Sequence, residues 1–430
     1  MAVAVFCSFG FAALLRNLPI MPEVYQRYDR SSIFRFECRI YPVMYLLENA
    51  VIYTPDSMFP QSNLLIRDGR IAALSESKLP YAAKSVQRFD ARGLILAPGF
   101  IDLQINGGFG LDFTADPASL WQGAAQLPRY GVTAFLPTLI TSPPERIVQA
   151  LTILSHEAPP DFCGAAPLGW HLEGPFLNPN KKGAHSPNDL CQPSLEAVKS
   201  WSLEEGVRLV TLAPELPGAL DVACALQERG VVVSAGHSLA TFAQAQAGFD
   251  IGITCGTHIF NAMTSIHQRD PGLPGALLND PRVSVSLIAD GIHVHPALVQ
   301  LAWQTKGSQG LILVSDAMAA LGMPPGEYRL GEVSVSVDDK SARLADGTLA
   351  GSILSLDAAL RNLVAITGAT LPEALSALTR TPARLLRLAD CGRIAPGCIA
   401  DLVLLTPDLE VVATWVRGEL VYQRAEGVYF

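Results

Sequence analysis

The sequence is poor in charge, and the charge it has is weighted towards acid. Only 17% of the 430 residues are charged, and 31 basic against 40 acidic residues leave a formal net charge of −9. No run of Lys or Arg is long enough to follow a phosphate backbone, which argues against nucleic-acid binding. The acidic balance also repels anions at long range, so a phosphorylated ligand would require a few locally placed cations.

The signatures of membrane, secreted and disulfide-rich proteins are missing as well. The apolar stretch at 2–15 is too short to span a bilayer, and no Lys or Arg precedes it as in a secretory signal. The eight cysteines form no CxxC pair and are typical of reduced, mostly buried thiols. We therefore predict a cytoplasmic protein that binds neither nucleic acid nor membrane.

The two ends of the chain show a different pattern from its middle. Residues 1–43 lack a clear element pattern, and we interpret them as a disordered extension or a mis-assigned start. Residues 44–97 have β-patterning, with Asp68-Gly69 between apolar runs as a hairpin signal. Short strands return at the end, so residues 44–97 and 390–430 are predicted to form one small β-sandwich domain.

Between residues 98 and 389, short apolar runs alternate with helical patterns. Helices are predicted at 144–156, 194–205 and 219–229. Strands are predicted at 100–105, 132–136, 168–172, 207–212, 231–235, 253–257, 283–288 and 311–314. Eight buried strands alternating with helices are typical of a closed parallel barrel. The predicted fold class is therefore α/β, a TIM-type (β/α)8 barrel with a small β-sandwich domain built from both chain ends.

Polar side chains follow several predicted strands, where barrel enzymes place their catalytic groups. Five strand ends carry His, Glu or Asp. A hydrophobic core does not need so many polar groups at one rim, because burying them without partners is costly. Glu173, His237 and His258 form a carboxylate and two-imidazole set that suits zinc or iron(II) with one position open for water. Asp316 is the candidate that takes the proton of that water and later delivers it to a leaving amine.

At these residues the chain resembles the N-acetylglucosamine-6-phosphate deacetylase family of the amidohydrolase superfamily, over about residues 44–425. The matching stretches are PGFIDLQINGG (98–108), HLEGPFLNPNKKGAHSP (171–187), SAGHS (234–238), THIFNAM (257–263), RDPGLPGA (269–276), IADGIHV (288–294), VSDAM (314–318), GTLAGS (347–352) and GRIAPGCIADLVLL (392–405). The resemblance implies hydrolysis of N-acetyl-D-glucosamine 6-phosphate to D-glucosamine 6-phosphate and acetate, with one divalent metal ion per subunit.

The resemblance also implies roles for particular residues. Glu173, His237 and His258 are the implied metal ligands. Asp316 is the implied general base and then acid, and His185 polarises the acetyl carbonyl as an oxyanion donor. The implied substrate contacts are Ala184, His185, Asn261, Ala262, Arg269, His293, Leu349, Ala350 and Gly351. Arg269 and His293 form the implied phosphate clamp, which family members share between subunits, so a homodimer is implied.

One segment departs from the common superfamily pattern. Many amidohydrolases carry His-x-His at the end of strand one, a pair that helps hold a second metal, whereas this sequence has Gln104 and Asn106. Neither is a strong zinc ligand, and the mononuclear subtype of the family also has Gln here. One metal is therefore expected, with Gln104 near it. A water molecule between Gln104 and the metal is one form that this contact could take.

Other interpretations stay open. A cyclic-amide hydrolase would carry a metal-bridging lysine at the end of strand four, but that strand ends LAPE (212–215). A different N-acyl hydrolase and a non-catalytic barrel scaffold are further alternatives, although scaffolds usually lose a metal ligand or the final Asp. Separately, Arg269 lies in a short polar loop where an ordinary surface arginine is the alternative, and Lys181 and Lys182 are expected in solvent. The choices between zinc and iron(II), and between glucosamine and galactosamine epimers, also stay open.

Overall fold

The computed structural model describes residues 44–54, 57–79 and 86–425. The predicted extension at 1–43 and the end of the predicted tail at 426–430 lie outside these residues. No helix within the described ranges is both long enough and apolar enough to cross a membrane.

The strands are numbered in chain order. They are β1 (Met44–Tyr53), β2 (Met58–Arg67), β3 (Arg70–Ser75), β4 (Val86–Asp90), β5 (Ile95–Pro98), β6 (Phe100–Ile105), β7 (Gly107–Gly108), β8 (Leu111–Asp112), β9 (Val132–Ile140), β10 (Ala166–Pro167), β11 (Trp170–Glu173), β12 (Val207–Leu212), β13 (Val232–Ala235), β14 (Cys255–Gly256), β15 (Ser284–Leu287), β16 (Leu311–Leu313), β17 (Gly326–Leu330), β18 (Val333–Val337), β19 (Ala342–Arg343), β20 (Leu402–Leu405), β21 (Val411–Val416) and β22 (Glu419–Gln423).

The helices connect most of the barrel strands. They are α1 (Leu120–Gln126), α2 (Pro144–Ser155), α3 (Ala219–Glu228), α4 (Phe242–Asp250), α5 (Gly272–Asn279), α6 (Pro296–Gly310), α7 (Leu356–Thr367), α8 (Leu371–Ser376) and α9 (Arg380–Leu385). Short 3-10 turns lie at Pro117–Ser119, Leu127–Tyr130 and Pro179–Lys181.

The first five and the last three strands form one sheet, in the order β22-β21-β20-β5-β1-β2-β3 with β4 beside β1. β20 runs antiparallel to β5, with Leu402 opposite Pro98, so strands from the two ends of the chain are direct neighbours. The core of this domain includes Trp415, whose ring packs edge-on against Phe89 at 5.5 Å between centroids. The small β domain built from both chain ends is confirmed.

The barrel contains eight parallel strands. In order around it they are β6, β9, β11, β12, β13, β14, β15 and β16. A parallel bridge between Ile105 and Ala317 closes the circle, and the Asn106 N–H donates to the Ala317 carbonyl at 2.7 Å. β6 and β9 are buried along their whole length, as expected for parallel strands covered by helices on the outside. The predicted TIM-type barrel is confirmed.

A three-stranded antiparallel sheet, β17–β19, is inserted after the last barrel strand. Its apolar face packs Leu330, Val335 and Ala342 against Met318 and other residues that follow β16. Burial of these side chains fixes the inserted sheet beside the carboxyl ends of the barrel strands.

Two local predictions need correction. Residues 194–205, predicted as a helix, form successive turns in which the Trp201 N–H donates to the Val198 carbonyl. Among the apolar residues of this segment, Val198 and Trp201 are buried, while Leu195 is 54% exposed. Successive turns can bury two residues with this spacing as well as a helix can. The cysteines are less buried than expected. Of the six cysteines in the described ranges, Cys255, Cys391 and Cys398 are buried, whereas Cys163, Cys191 and Cys224 are exposed.

Candidate active site

Four buried polar side chains lie at the carboxyl ends of barrel strands. Glu173 is the last residue of β11, and His237, His258 and Asp316 follow β13, β14 and β16 within three residues. Their exposed fractions range only from 3% to 8%. Because the carboxyl ends of parallel strands meet at one rim, the fold brings these groups together, as the sequence predicted.

The backbone at this rim is unusual. His237, His258 and Asp316 have φ values of 48°, 30° and 47°, in the left-handed region that non-glycine residues seldom adopt. Each such residue costs on the order of 1–3 kcal/mol, and the surrounding structure must hold it in place. Ser286 Oγ accepts the His258 N–H at 2.7 Å, and the Gln104 carbonyl accepts the Asp316 N–H at 2.9 Å. Left-handed residues also occur elsewhere in the described chain, but here they are three of the four buried polar residues of the rim, which favours a functional site.

Glu173, His237 and His258 direct one atom each to a common point. Glu173 Oε1 lies 2.9 Å from His258 Nε2 and 3.2 Å from His237 Nε2, and the two Nε2 atoms are 3.2 Å apart. Ligands held about 2.0–2.2 Å from one tetrahedral ion stand roughly 3.3 Å from each other. The three atoms therefore have the spacing that a single metal ion requires.

The neighbours of these histidines and of Glu173 support that interpretation. His237 Nδ1 lies 2.8 Å from the Lys181 carbonyl, which only accepts, so Nδ1 carries the proton and Nε2 keeps its lone pair. His258 Nδ1 is buried without a hydrogen-bond partner among the described residues. Gln104 Nε2 donates to Glu173 Oε1 at 3.0 Å, which places Gln104 beside the cluster, as the sequence predicted.

The charge state of the carboxylate fits a metal ligand too. Burial opposes ionisation of Glu173, but the adjacent imidazoles of His185, His237 and His258 outweigh it and hold the pKa of this carboxyl group well below its ordinary value. An ionised carboxylate with two imidazole nitrogens is a donor set that suits zinc or iron(II). These three residues could therefore hold a metal ion.

Asp316 is placed for proton transfer. Its Oδ1 accepts a hydrogen bond from Asn106 Nδ2 at 2.8 Å. Burial, followed by the negative charge of Glu173, raises the pKa of Asp316 to about 6. A carboxyl group in that range exchanges a proton readily near neutral pH. The contact from Asn106 was not predicted from the sequence, although its segment was singled out for lacking the usual second histidine.

His185 is held in one tautomer. The Thr141 N–H donates to His185 Nδ1 at 3.2 Å, so Nδ1 is an acceptor and a neutral ring carries its proton on Nε2. Burial lowers the pKa of His185 to about 4, which keeps the ring neutral at pH 7. Nε2 lies 3.6 Å from Glu173 Oε2, so an imidazole N–H stands next to the cluster. This is the placement that an oxyanion donor needs.

A cavity of about 280 Å³, here named the catalytic cavity, is lined by the cluster and by Asp316. The other predicted residues in its wall are Ala184, His185, Asn261, Ala262, His293, Leu349 and Gly351. Ala350 is fully buried and does not line it. Asn180 and Thr348 line it without having been predicted from the sequence.

The cationic groups around the catalytic cavity differ from the prediction. Lys181, expected in solvent, lines the cavity because the 3-10 turn Pro179–Lys181 returns to the rim, and its Nζ donates to the Met263 carbonyl at 2.7 Å. His293 also lines the cavity, with Nδ1 paired to Asp290 Oδ2 at 2.6 Å. Arg269, the other member of the predicted clamp, is exposed and does not line the cavity of its own chain.

Comparison with known proteins gives consistent matches. The chain is 41% identical over 383 residues to an N-acetylglucosamine-6-phosphate deacetylase of Homo sapiens, covering 84% of this chain and 92% of that one. It is 39% identical over 374 residues to an N-acetylgalactosamine-6-phosphate deacetylase of Escherichia coli O157:H7, covering 86% and 97%.

A solved structure agrees in fold as well. The chain aligns with a TM-score of 0.80 and 34% identity to an N-acetyl-D-glucosamine-6-phosphate deacetylase mutant from Mycobacterium smegmatis in complex with N-acetyl-D-glucosamine-6-phosphate. That alignment covers 89% of this chain and 100% of the other. The model of the amidohydrolase family matches residues 95–421. The chain therefore belongs to the amidohydrolase family, in the branch of the N-acetylglucosamine-6-phosphate deacetylases.

Proposed function

We propose that this protein hydrolyses N-acetyl-D-glucosamine 6-phosphate to D-glucosamine 6-phosphate and acetate. The observation that carries the proposal is the cluster of Glu173, His237 and His258 beside Asp316 in one cavity. Relatives named for this reaction, at 35% to 41% identity over most of the chain, support the substrate. The catalytic cavity supplies the groups that amide hydrolysis requires, which are a proton acceptor, an oxyanion donor and a metal-ligand set.

The metal is proposed to be one zinc or iron(II) ion per subunit. One carboxylate oxygen and two imidazole nitrogens favour these ions over magnesium or calcium, which prefer oxygen ligands alone. When bound, such an ion supplies Lewis-acid chemistry and brings the pKa of a bound water close to neutrality. Gln104 and Asn106, in place of two histidines, support a single ion. A cytoplasmic location, predicted from the sequence, is part of the same proposal.

The protein's own side chains carry the proton transfers. Asp316 accepts a proton from the attacking water, whose oxygen forms the new bond to the acetyl carbon. The Nε2–H of His185 donates to the carbonyl oxygen as negative charge develops on it. Asp316 then delivers its proton to the amide nitrogen, the C–N bond breaks, and the free amine leaves with acetic acid, which ionises to acetate. Asn106 keeps the carboxylate oriented through its hydrogen bond to Oδ1.

The phosphate group is proposed to lie between two subunits of a homodimer. His293 lines the catalytic cavity, while Arg269 is exposed and outside it. Because Arg269 does not line the cavity of its own chain, we propose that it contributes to the catalytic cavity of the neighbouring subunit. Lys181 adds a cation of the same chain to the cavity wall, which helps an acidic protein to accept an anionic substrate.

A second candidate substrate is the galactosamine epimer. The relative from Escherichia coli O157:H7 is named for N-acetylgalactosamine 6-phosphate and is nearly as similar as the Homo sapiens protein. The reaction, the metal site and the proton transfers are the same for both epimers. Discrimination would depend on the contacts to a single sugar hydroxyl.

The test is release of acetate from each 6-phosphorylated N-acetylhexosamine, with metal analysis of the same sample. We expect turnover of the glucosamine compound, loss of turnover with a chelator and recovery with zinc or iron(II). Faster turnover of the galactosamine compound would favour the second candidate. Purified protein that holds no metal and releases no acetate from either compound would contradict the proposal and favour a scaffold.

A further inference from the structure

The opposite end of the barrel contains a second and larger cavity. It has a volume of about 750 Å³ and lies where β13, β15 and β16 begin, whereas the catalytic cavity lies where the strands end. We name it the basal cavity, and it is lined among others by Gln227, Arg282, Thr305, Lys306, Arg384 and Arg387. Its volume is in the range of about 300–1,000 Å³ that small-molecule sites occupy.

The charge of the basal cavity is opposite to that of the protein. Four of its lining side chains are Lys or Arg, and its described lining contains no Asp or Glu, although the whole chain carries a net charge of −9. One of the four, Arg282, is neutralised by Asp250 at 2.8 Å and Asp280 at 2.6 Å. The remaining three cations are Lys306, Arg384 and Arg387.

Two of these cations are fixed in place by carbonyl groups, and neither forms an ion pair among the described residues, although the Asp280 carboxylate attracts Lys306 from a longer distance. Lys306 Nζ donates to the Asp280 carbonyl at 2.6 Å, and Arg384 donates to the Gln309 carbonyl. Cations at the carboxyl ends of helices commonly stabilise the helix dipole, and these contacts serve that purpose. A carbonyl carries no net charge, however, so both side chains keep their positive charge and their remaining N–H groups for a ligand.

Other groups in the basal cavity lack partners. No described residue forms a hydrogen bond or an ion pair with the Arg387 side chain. Gln227 Nε2 is buried, and no described residue accepts its hydrogen bond. Leaving a buried amide donor unpaired costs about 1–3 kcal/mol, which an acceptor atom of a ligand would recover. Lys306 is half-buried, and burial lowers its pKa to about 8, so an anion beside it would relieve that cost as well.

We propose that the basal cavity is a second binding site, which takes a phosphate monoester of metabolite size. Arg384, Arg387 and Lys306 supply charge-assisted donors for the phosphate oxygens. Gln227 and Thr305 supply neutral hydrogen-bonding groups for a hydroxylated organic part. The cavity is much larger than a single ion needs, which favours an organic phosphate over free phosphate. This site is independent of the proposed deacetylation.

The test is isothermal titration calorimetry of the metal-loaded full chain with glucose 6-phosphate at low salt. We compare the wild type with Arg384→Gln/Arg387→Gln and with Arg67→Gln/Arg92→Gln, a matched control whose exposed arginines lie in the small domain. The wild type and the control should bind one more equivalent than the first double variant. Equal stoichiometry and affinity in all three proteins would overturn the proposal.

A single variant guards against loss of folding. The Arg387 side chain forms no hydrogen bond or ion pair with a described residue, so Arg387→Gln should fold normally. Binding at the basal cavity should weaken about tenfold, as expected for the loss of one charge-assisted hydrogen bond. Unchanged affinity would overturn the role of Arg387. Titration with inorganic phosphate separates the two phosphate sources, and tighter binding of free phosphate than of the monoester would overturn the organic ligand.

Competition kinetics assign the binding to one cavity. Inhibition of deacetylation by glucose 6-phosphate reports on the catalytic cavity, and its inhibition constant should be the same in Arg384→Gln/Arg387→Gln and in the control. An inhibition constant that changes together with the calorimetric affinity would place the monoester in the catalytic cavity and overturn the proposal.

Discussion

The two ends of the barrel are built from the same strands but have different chemistry. At the carboxyl ends, an ionised carboxylate and imidazoles converge within about 3 Å of each other and are almost fully buried. At the amino ends, arginine and lysine side chains surround the basal cavity, and two of them are anchored to carbonyl groups. The first arrangement suits a cation, and the second suits an anion.

The backbone explains part of this difference. At the carboxyl ends, His237, His258 and Asp316 adopt left-handed conformations that turn side chains towards a common point at an energetic cost. At the amino ends, Lys306 and Arg384 donate to the carbonyls of Asp280 and Gln309, at the carboxyl ends of α5 and α6, and so complement the dipoles of those helices. At the basal cavity, Arg387 is the one described non-glycine lining residue with a left-handed backbone, at a φ of 55°. Variants at each end test the two roles.

The largest expected effect is at the metal ligands. Glu173→Gln replaces the only carboxylate of the cluster by an amide of the same shape, so metal affinity should fall sharply and turnover should fall below detection. Metal content after dialysis and acetate release are the measurements. Glu196→Gln, at a side chain that is 80% exposed, is the control. A variant that retains both full metal content and full turnover would remove Glu173 from the site.

Asp316→Asn should have the next largest effect. The amide cannot accept the water proton, so kcat should fall by about 10²–10⁴-fold, while the metal content stays that of the wild type. Steady-state kinetics and metal analysis check both parts. Asp221→Asn on the exposed side of α3 serves as the matched control. Turnover close to that of the wild type would contradict the proton-transfer role.

Arg269→Ala should separate binding from chemistry. Loss of a charge-assisted contact to phosphate should raise KM for the phosphorylated substrate by about 10- to 100-fold and leave the unphosphorylated sugar unaffected. Arg92→Ala, an exposed arginine of the small domain, controls for the lost charge. Equal changes for the two sugars would contradict the phosphate assignment. Restored activity in mixtures with Asp316→Asn would show that Arg269 acts on the neighbouring subunit.

The smallest effect is expected from Asn106→Ala. The Asn106 amide stabilises the ionised form of Asp316 and so lowers its pKa. Without it the pKa of Asp316 rises, the base form is lost at a higher pH, and the acid limb of the kcat profile moves upwards. Asn279→Ala at the basal cavity should leave the profile unchanged. An acid limb that stays in place would mean that the Asn106 contact does not tune Asp316.

The strands were predicted most accurately where an apolar run ends abruptly. The predicted bounds of β6 and β12 are those of the structure, because both runs are buried from end to end or nearly so. The helix expected at 194–205 was wrong, because apolar residues three apart suit turns as well as a helix. The metal cluster was found because its residues end strands that a parallel barrel must bring together.

Contacts that depend on closure of the barrel could not be predicted from the sequence. Asn106 and Asp316 are 210 residues apart, and their hydrogen bond forms only because β6 and β16 are neighbours in a closed circle. The histidine tautomers depend on the Lys181 carbonyl and the Thr141 N–H, which no periodicity reveals. The basal cavity escaped prediction because its lining comes from many separate connections, none with a motif of its own.

The pairing of β5 with β20 has a consequence for synthesis on the ribosome. β5 leaves the ribosome before the barrel, but its neighbour β20 emerges only after the barrel has been translated. Until then the nascent chain presents an open strand edge in the middle of its future sheet, and open edges invite pairing with other chains. A premature stop codon shortly before residue 402 would therefore give a truncated protein that is prone to aggregate through this open strand edge.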